Sequence, residues 1–354
     1  LKNVLVTGGA GFIGSNFVHY IADKLPDVSI IILDLLTYVA NLEALDAVNH
    51  KFYRGNIKNK YLVRQILEEE NIDTVVNFAA ETHIDRSILY PEDFIETNIF
   101  GTFNLLFQSL KCGVKRFHHI STDEVFGTLG KDEPPWTEEA PYKPNTPYAA
   151  TKAGSDHLVR AFGHTYGLPY TISNSSNNFG PYQFPEKLVP IVIDRFLHSR
   201  NVPIHGDGSQ TRDWLYVKDS CAAILKILTD GKIGESYNVG GILNEITVLE
   251  FVIMMSKIFD GMFPNNAPHE RFIEFVPDRP GNDHRYNLNS DKVMDLGWYP
   301  ETKLEDALYE TVKWYVDHQD WLDRARNTKA YKIWQKKDYF SRIKKLMLYS
   351  PIKD

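Results

Sequence analysis

Three things are scarce in this 354-residue chain, and each scarcity removes a class of function. Only two cysteines are present. Cys112 and Cys221 show neither the pairing of a disulfide framework nor the spacing of a metal or redox site, so both are expected to be buried thiols in amphipathic helices. Excess positive charge is also missing: 39 Lys and Arg face 46 Asp and Glu, a net charge of −7. A generic nucleic-acid partner is therefore not expected, and any anionic ligand must be held by a few local cations. Long apolar runs are absent as well. The longest, Ile30 to Leu36, is broken by Asp34 and is far shorter than the roughly 20 residues that a membrane span requires. Leu1 to Thr7 already reads as a buried strand rather than a targeting segment, so a cytoplasmic protein with no membrane partner is expected. No repeats or low-complexity segments are seen, and no metal site is suggested.

What is present is aromatic. Nineteen Tyr and 20 Phe supply walls suited to flat or sugar-like ligands. Short apolar runs (Val4–Val6, Ile30–Leu33, Thr74–Val76, Arg116–Ile120 and Tyr170–Ile172) alternate with helical stretches such as Lys60 to Glu70. That rhythm predicts an α/β fold, a doubly wound parallel sheet of Rossmann type with helices on both faces. After Gly180 the texture turns to segments punctuated by Pro and Gly. A smaller mixed α/β lobe is expected there, interleaved with the first, because Ser236 to Gly240 reads as a strand returning to the main sheet. The expected division is 1–180 plus about 214–245 for the sheet domain and about 181–213 plus 246–320 for the second lobe. A polar tail, 321–354, follows a helical run that ends near His318.

Thr7-Gly8-Gly9-Ala10-Gly11-Phe12-Ile13-Gly14 follows the first strand and opens a helix. Glycines let the turn tighten and the backbone approach a pyrophosphate at the positive end of the helix dipole. A tight strand-to-helix turn alone can carry one such run, but Asp34 closes the second strand twenty residues after Gly14. A carboxylate there accepts from an adenosine ribose and repels a 2′-phosphate, which points to NAD. Asn56 and Ile57 after the third strand, and Ala79 and Ala80 after the fourth, fall on the same crevice.

Tyr148 and Lys152 stand at i, i+4 where a helix begins, on one face. Lys152 is expected to lower the phenol's pKa by opposite charge and so make it a base. The preceding strand ends in Ser121-Thr122-Asp123-Glu124-Val125, a hydroxyl followed by two carboxylates, and Thr122 is placed to share a sugar hydroxyl with Tyr148.

Together these motifs resemble the extended short-chain dehydrogenase/reductase superfamily and, within it, the dTDP-glucose 4,6-dehydratases. The resemblance runs through Ala80-Glu81-Thr82-His83-Ile84-Asp85-Arg86-Ser87 and Ser176-Asn177-Asn178-Phe179-Gly180-Pro181 to Asp278-Arg279-Pro280-Gly281. It implies NAD as cofactor, with Thr37 and Asn177 joining Gly8, Gly11, Phe12, Ile13, Gly14 and Asp34 around it. It implies Thr122, Asp123, Glu124, Tyr148 and Lys152 as the catalytic set, with Asp123 the acid and Glu124 the base of a dehydration. A nucleoside-diphosphate-glucose would be held by Thr82, His83, Asn178, Glu186, Lys187, Leu188, Arg212, Asn238, Arg279 and Asn282. A homodimer is also implied, through helices at Pro91 to Lys111 and Pro147 to Tyr166.

Several positions depart from the family's wording: Thr82 for Ser, Ser175 for Cys, Phe126 and Phe179 for Tyr, Val39-Ala40 for Ala-Gly, and Asn282 for His. The last leaves UDP-glucose open beside dTDP-glucose. A UDP-sugar epimerase or decarboxylase would leave Asp123 and Glu124 surplus, and a non-catalytic NAD-binding protein would need none of the catalytic five.

Overall fold

A computed structural model describes residues 1–241, 245–278, 283–328 and 331–332. The twelve strands among the described residues are, in chain order, β1 Asn3–Thr7, β2 Ser29–Asp34, β3 Lys51–Arg54, β4 Thr74–Asn77, β5 Arg116–Thr122, β6 Tyr170–Ser175, β7 Asn177–Phe179, β8 Val202–His205, β9 Thr211–Tyr216, β10 Glu235–Val239, β11 Glu245–Thr247 and β12 Ile273–Val276. Seven form the main sheet, in the order β10-β6-β5-β4-β1-β2-β3, and every pair in it is parallel. The chain runs outward from β1 in one direction and returns to build the other side from β4. The strand order therefore reverses between β1 and β4, and the crevice at their carboxyl ends is where open α/β sheets bind ligands.

The central strands are apolar without alternation because both of their faces are covered. Val4 and Val6 pack with Ile30, Ile32, Val76 and the helices Phe12–Lys24 and Val217–Asp230 on one side. Leu5 points to the other side, with Ile31, Leu33, Val75, Phe117 and the helices Lys60–Glu69 and Thr102–Lys111. Each such side chain contributes roughly 1.5–3 kcal/mol on burial. The sheet is thus a rigid platform whose polar residues gather at strand ends.

Helix ends are written into the sequence. Asn59 caps Lys60–Glu69 by accepting from Tyr61 and Leu62 N–H. Thr146 accepts from Ala149 N–H, Pro147 fills the first turn, and Gly167 in the left-handed region (φ 72°) closes Pro147–Tyr166. The expected helix at Pro91 to Lys111 is one helical run, but Ile95–Gly101 in its middle is π-helical. Such turns concentrate at functional sites. Here the run presents Asn98, whose Nδ2 donates to Glu81 O and to Thr151 Oγ1, both at 3.0 Å.

Outside the main sheet, β7, β9 and β11 form a second sheet, and β8 pairs with β12. Trp214 stacks on Phe251 at 3.8 Å between ring centroids. Two expectations need correction. Cys221 is buried, but Cys112, just past the last turn of its helix, is only half-buried. The stretch after His318 does not begin as a tail: Gln319–Asn327 is a helix whose Trp321 and Leu322 are buried against the core.

Candidate active site

The crevice at the carboxyl ends of β1 and β4 is lined by backbone. Gly8 lies at φ +70°, and a Cβ there would meet Ala79 N at 2.7 Å; one on Gly14 would meet Gly8 O at 2.2 Å. Glycine is therefore required for the loop to lie flat against the Phe78–Ala79 backbone. Gly11 opens the helix Phe12–Lys24 with no side-chain cap, so amide groups of its first turn, beside Phe12 and Ile13, are left to an anion. Asp34 closes β2 with its carboxylate fixed on two sides, accepting from Ala10 N–H at 3.0 Å and Leu36 N–H at 2.7 Å. Thr37 follows it, half-buried. After β3, Asn56 accepts from Lys58 N–H at 2.9 Å, and buried Ile57 accepts at its carbonyl from Asn104 at 2.6 Å. A bare glycine cradle, an uncapped helix start and an acid at the next strand end fit an adenine dinucleotide. Asn177, at the start of β7, has no hydrogen-bond partner for Oδ1 among the described residues.

The catalytic candidates converge at the end of β5. Thr122 closes that strand, and Asp123 and Glu124 begin the short 3₁₀ helix Asp123–Phe126. Thr122 Oγ1 accepts from Glu124 N–H at 3.3 Å and donates to Asp123 Oδ1 at 3.1 Å. Asp123 Oδ2 has no hydrogen-bond partner among the described residues. Burial, then the adjacent Glu124 charge, hold the Asp123 carboxyl well above the usual carboxylate range. Such surroundings favour the protonated, acid form.

Tyr148 and Lys152 lie on the helix Pro147–Tyr166, both buried. Lys152 Nζ donates to Ile120 O at 2.6 Å and lies 3.4 Å from His119 Nε2. The expected effect of Lys152 on Tyr148 is overturned. Burial first, then the Glu124 carboxylate, raise the phenol well above its ordinary value, against a hydrogen bond from Thr122. The ammonium is turned back onto the β5 backbone, and burial brings Lys152 itself down to about 8.

The residues expected at the sugar nucleotide divide into groups. Glu186 accepts from Tyr38 Oη at 3.0 Å and lies 3.8 Å from His83 Nε2; burial pushes its carboxyl up to about 7. Lys187 Nζ donates to Thr82 O at 3.0 Å, so Thr82, His83, Glu186 and Lys187 form one cluster, with Leu188 opening the next helix. Arg212 lies over the Tyr286 ring at 4.4 Å, donates to Asp283 O at 2.8 Å and exerts its charge on Asp123. Asn178 donates to Ser176 O at 2.9 Å. Asn238 is fully buried in β10, with Nδ2 on Trp136 O at 2.8 Å and Oδ1 without a hydrogen-bond partner among the described residues. Arg279 and Asn282 lie outside the described residues.

Several participants were missed by the sequence reading. Asp156 is fully buried on the catalytic helix, where its Oδ2 accepts from Ser121 at 2.6 Å and Tyr142 at 2.9 Å, while Oδ1 lies 3.4 Å from His119 Nε2. Arg160 donates to Tyr142 Oη at 2.9 Å. Tyr148, Lys152, Asp156 and Arg160 recur every four residues, and that polar stripe on a helix facing the sheet was the available signal. Arg86, 4.2 Å above the Tyr38 ring, had no such signal.

The model of the GDP-mannose 4,6 dehydratase family matches residues 5–311. The dTDP-glucose 4,6-dehydratase of Xanthomonas campestris pv. campestris (strain B100) is 46% identical over 334 residues, 90% of this chain and 94% of that protein. One from Escherichia coli K12 is 42% identical over 361 residues, covering 96% and 99% of the two chains. A crystal structure of a dTDP-glucose 4,6-dehydratase from Streptomyces venezuelae with NAD bound superposes with a TM-score of 0.85 at 41% identity, covering 92% of this chain and 100% of that one. A UDP-glucose 4-epimerase from Thermotoga maritima matches at 0.81 and 30%, with coverage of 90% and 100%. With this similarity spanning the sheet and the second lobe together, the chain belongs to the dTDP-glucose 4,6-dehydratase family.

Proposed function

We propose that this protein is an NAD-dependent 4,6-dehydratase that converts dTDP-glucose to its 4-keto-6-deoxy sugar. The observation that carries this reading is the pair Asp123 and Glu124 at the end of β5, beside Tyr148 and Thr122. Gly8, Gly11, Gly14 and Asp34 would hold NAD, which would supply the hydride chemistry linking C4 and C6. Tyr148 takes the proton of the C4 hydroxyl, and Thr122 orients that hydroxyl. The C4 ketone acidifies the C5 proton, which Glu124 removes while Asp123 protonates the departing C6 hydroxyl; Glu124 then returns the proton to C5. His83, Glu186, Lys187 and Arg212 surround the sugar diphosphate, and the chain divides into 1–180 plus about 214–245 and about 181–213 plus 246–320 around this cleft.

The test is incubation with dTDP-glucose and UDP-glucose in separate reactions, each deuterated at C4. A 4-keto-6-deoxy product from dTDP-glucose with deuterium at C6 is expected; no keto sugar from either donor would sink the proposal.

A homodimer belongs to the same reading. Phe100, Phe103 and Phe107 are 53%, 43% and 40% exposed on the run Pro91 to Lys111, beside the helix Pro147–Tyr166 that carries exposed Tyr166. Large exposed aromatics in a row favour association with a second copy. Phe103→Glu is expected to yield monomers in analytical ultracentrifugation, and an unchanged mass would refute the assignment. The cytoplasm, where Cys112 and Cys221 stay reduced thiols, is the proposed compartment, which cell fractionation reads directly.

A further inference from the structure

The loop that follows β2 is pinned at both ends to one residue of the glycine loop. Asp34 accepts from Ala10 N–H at 3.0 Å, and Asn41 N–H donates to Ala10 O at 2.9 Å. Between these pins the backbone is held against its own preference, with Leu36 in the left-handed region at φ 57°. A loop strained in this way keeps its shape only where its surroundings impose it.

Tyr38, midway between the pins, is what the surroundings hold. Its Oη donates to Glu186 Oε1 at 3.0 Å, joining positions 148 residues apart in the chain. The Arg86 guanidinium lies 4.2 Å above the Tyr38 ring, and Phe184 meets the ring edge-on, 5.6 Å away and at 90°. A second tie runs beside the first, where Lys187 Nζ donates to Thr82 O at 3.0 Å. Segments following β2 and β4 thus meet, at one tyrosine, the segment that leads into the helix Leu188–Leu197.

Glu186 is the point at which a sugar enters this arrangement. Its carboxylate is buried with Oε1 taken by Tyr38, while Oε2 has no hydrogen-bond partner among the described residues and lies 3.8 Å from His83 Nε2. A buried acceptor without its bond is unfavourable, and a sugar hydroxyl donating to Oε2 removes that cost. Glu186 is then fixed through both oxygens, and the loop is fixed through Tyr38. By linkage, a sugar that tightens the loop tightens whatever the loop helps to hold.

We propose that Tyr38 is a positioning residue that couples the two ligands: through Glu186 it holds the loop 35–41 against the glycine loop while glucose is bound, and so retains the cofactor until the reaction is complete. The proposed chemistry moves one hydrogen from C4 to C6 of the same sugar, so a cofactor lost between the two steps would strand the sugar half-converted. Retention is therefore needed most while glucose is in place, and Tyr38 ties it to that condition.

The inference rests on the proposed dehydratase reading, and the release of radiolabelled NAD from the holoenzyme tests it. Tyr148→Phe serves as the parent, because it should hold glucose without oxidising it. Release into excess unlabelled NAD is followed with no ligand, with saturating dTDP, and with saturating dTDP-glucose. In the parent, dTDP-glucose is expected to slow release at least ~5-fold relative to dTDP. Adding Tyr38→Phe, which leaves the ring between Arg86 and Phe184 and removes only the hydroxyl, should erase that difference. No slowing by glucose in the parent, or a slowing that survives Tyr38→Phe, overturns the coupling. So does release that quickens by the same factor in all three conditions, which would make Tyr38 a fixed brace. If the protein with Tyr148 intact makes no keto sugar from dTDP-glucose, the dehydratase reading falls, and the coupling with it.

Discussion

Two buried polar clusters flank the junction of β5 with the helix Pro147–Tyr166, and they are built on opposite terms. The front cluster, at the strand end, holds Asp123, Glu124, Thr122 and Tyr148. There, and on neighbouring β7, Asp123 Oδ2 and the side-chain oxygens of Asn177 and Asn178 have no hydrogen-bond partner among the described residues. The rear cluster, under the helix, holds His119, Ser121, Tyr142, Lys152, Asp156 and Arg160. Asp156 Oδ2 accepts from Ser121 and Tyr142, while its Oδ1 has no hydrogen-bond partner among the described residues. A buried polar group without a partner costs about 1–3 kcal/mol. The front cluster therefore carries the larger unfavourable energy, which a ligand relieves, whereas the rear one spends most of its hydrogen bonds on fixing geometry.

If that division holds, substitutions in front should damage chemistry most. Tyr148→Phe is expected to lower kcat by roughly 10²–10⁴-fold and to abolish the reduced-nicotinamide absorbance seen on mixing with substrate. Glu124→Gln should lose comparable overall turnover yet still show that absorbance, because its task begins only after C4 is a ketone. Equal loss of the absorbance in both variants would contradict the roles assigned to them.

Behind, the effect should appear as a displaced pH profile. Lys152 is pulled down to about 8 by burial, and the Asp156 charge is what opposes the fall. The other groups facing Lys152 are His119 and the Ile120 carbonyl on β5, and from its own helix Arg160 lies beyond Asp156. Without the Asp156 charge the ammonium loses its proton at a lower pH. Asp156→Asn should therefore move the titration of Lys152, followed by NMR of the labelled side chain, toward acid by about one unit, while Asp156→Glu should keep it close to wild type. An unmoved Lys152 titration would reduce Asp156 to a packing residue.

The same contrast explains what was legible in the sequence. The sheet could be read because Val4–Val6, Ile30–Leu33 and Thr74–Val76 are buried on both faces and so are apolar without interruption. The glycine loop and the Tyr148–Lys152 pair could be read because each is local, a few residues whose spacing carries the chemistry. The rear cluster was not found because Ser121, Tyr142 and Asp156 each read as ordinary polar residues, and only the fold of β5 against the helix brings them within 2.6–2.9 Å. For Asn238 the motif position could be read, but not that its Nδ2 would brace the backbone of Trp136. Nor could sequence show that Lys152 would turn toward Ile120 O, since i, i+4 spacing places two side chains on one face without saying what else competes for the ammonium.

The smallest effect is the one that most directly tests the comparison, because it concerns stability and opposite signs are expected. Asp123 has its carboxyl raised by burial and by Glu124. A raised acid favours the fold below its unfolded value near 3.9, and that contribution is lost as pH rises through the folded value. Asp123→Asn keeps an oxygen to accept from Thr122 and removes the charge that burial penalises. Its melting temperature should exceed wild type by ~1–3 °C at neutral pH, with the gap widening from pH 5 to pH 8. Asp156 is also raised by burial, but Lys152, Ser121, Arg160 and Tyr142 pull it back. Asn77 Oδ1 accepts from Thr7 at 2.7 Å, which turns its Nδ2 toward His119 Nδ1 at 3.1 Å, so His119 carries its proton on Nε2, facing Asp156. An amide at position 156 either sets N–H against N–H there or gives up Ser121 and Tyr142. Asp156→Asn should thus cost about 1–3 kcal/mol and lower the melting temperature. Calorimetry of the two variants in parallel decides the matter, and a fall in both would mean that the front cluster is held together as the rear one is.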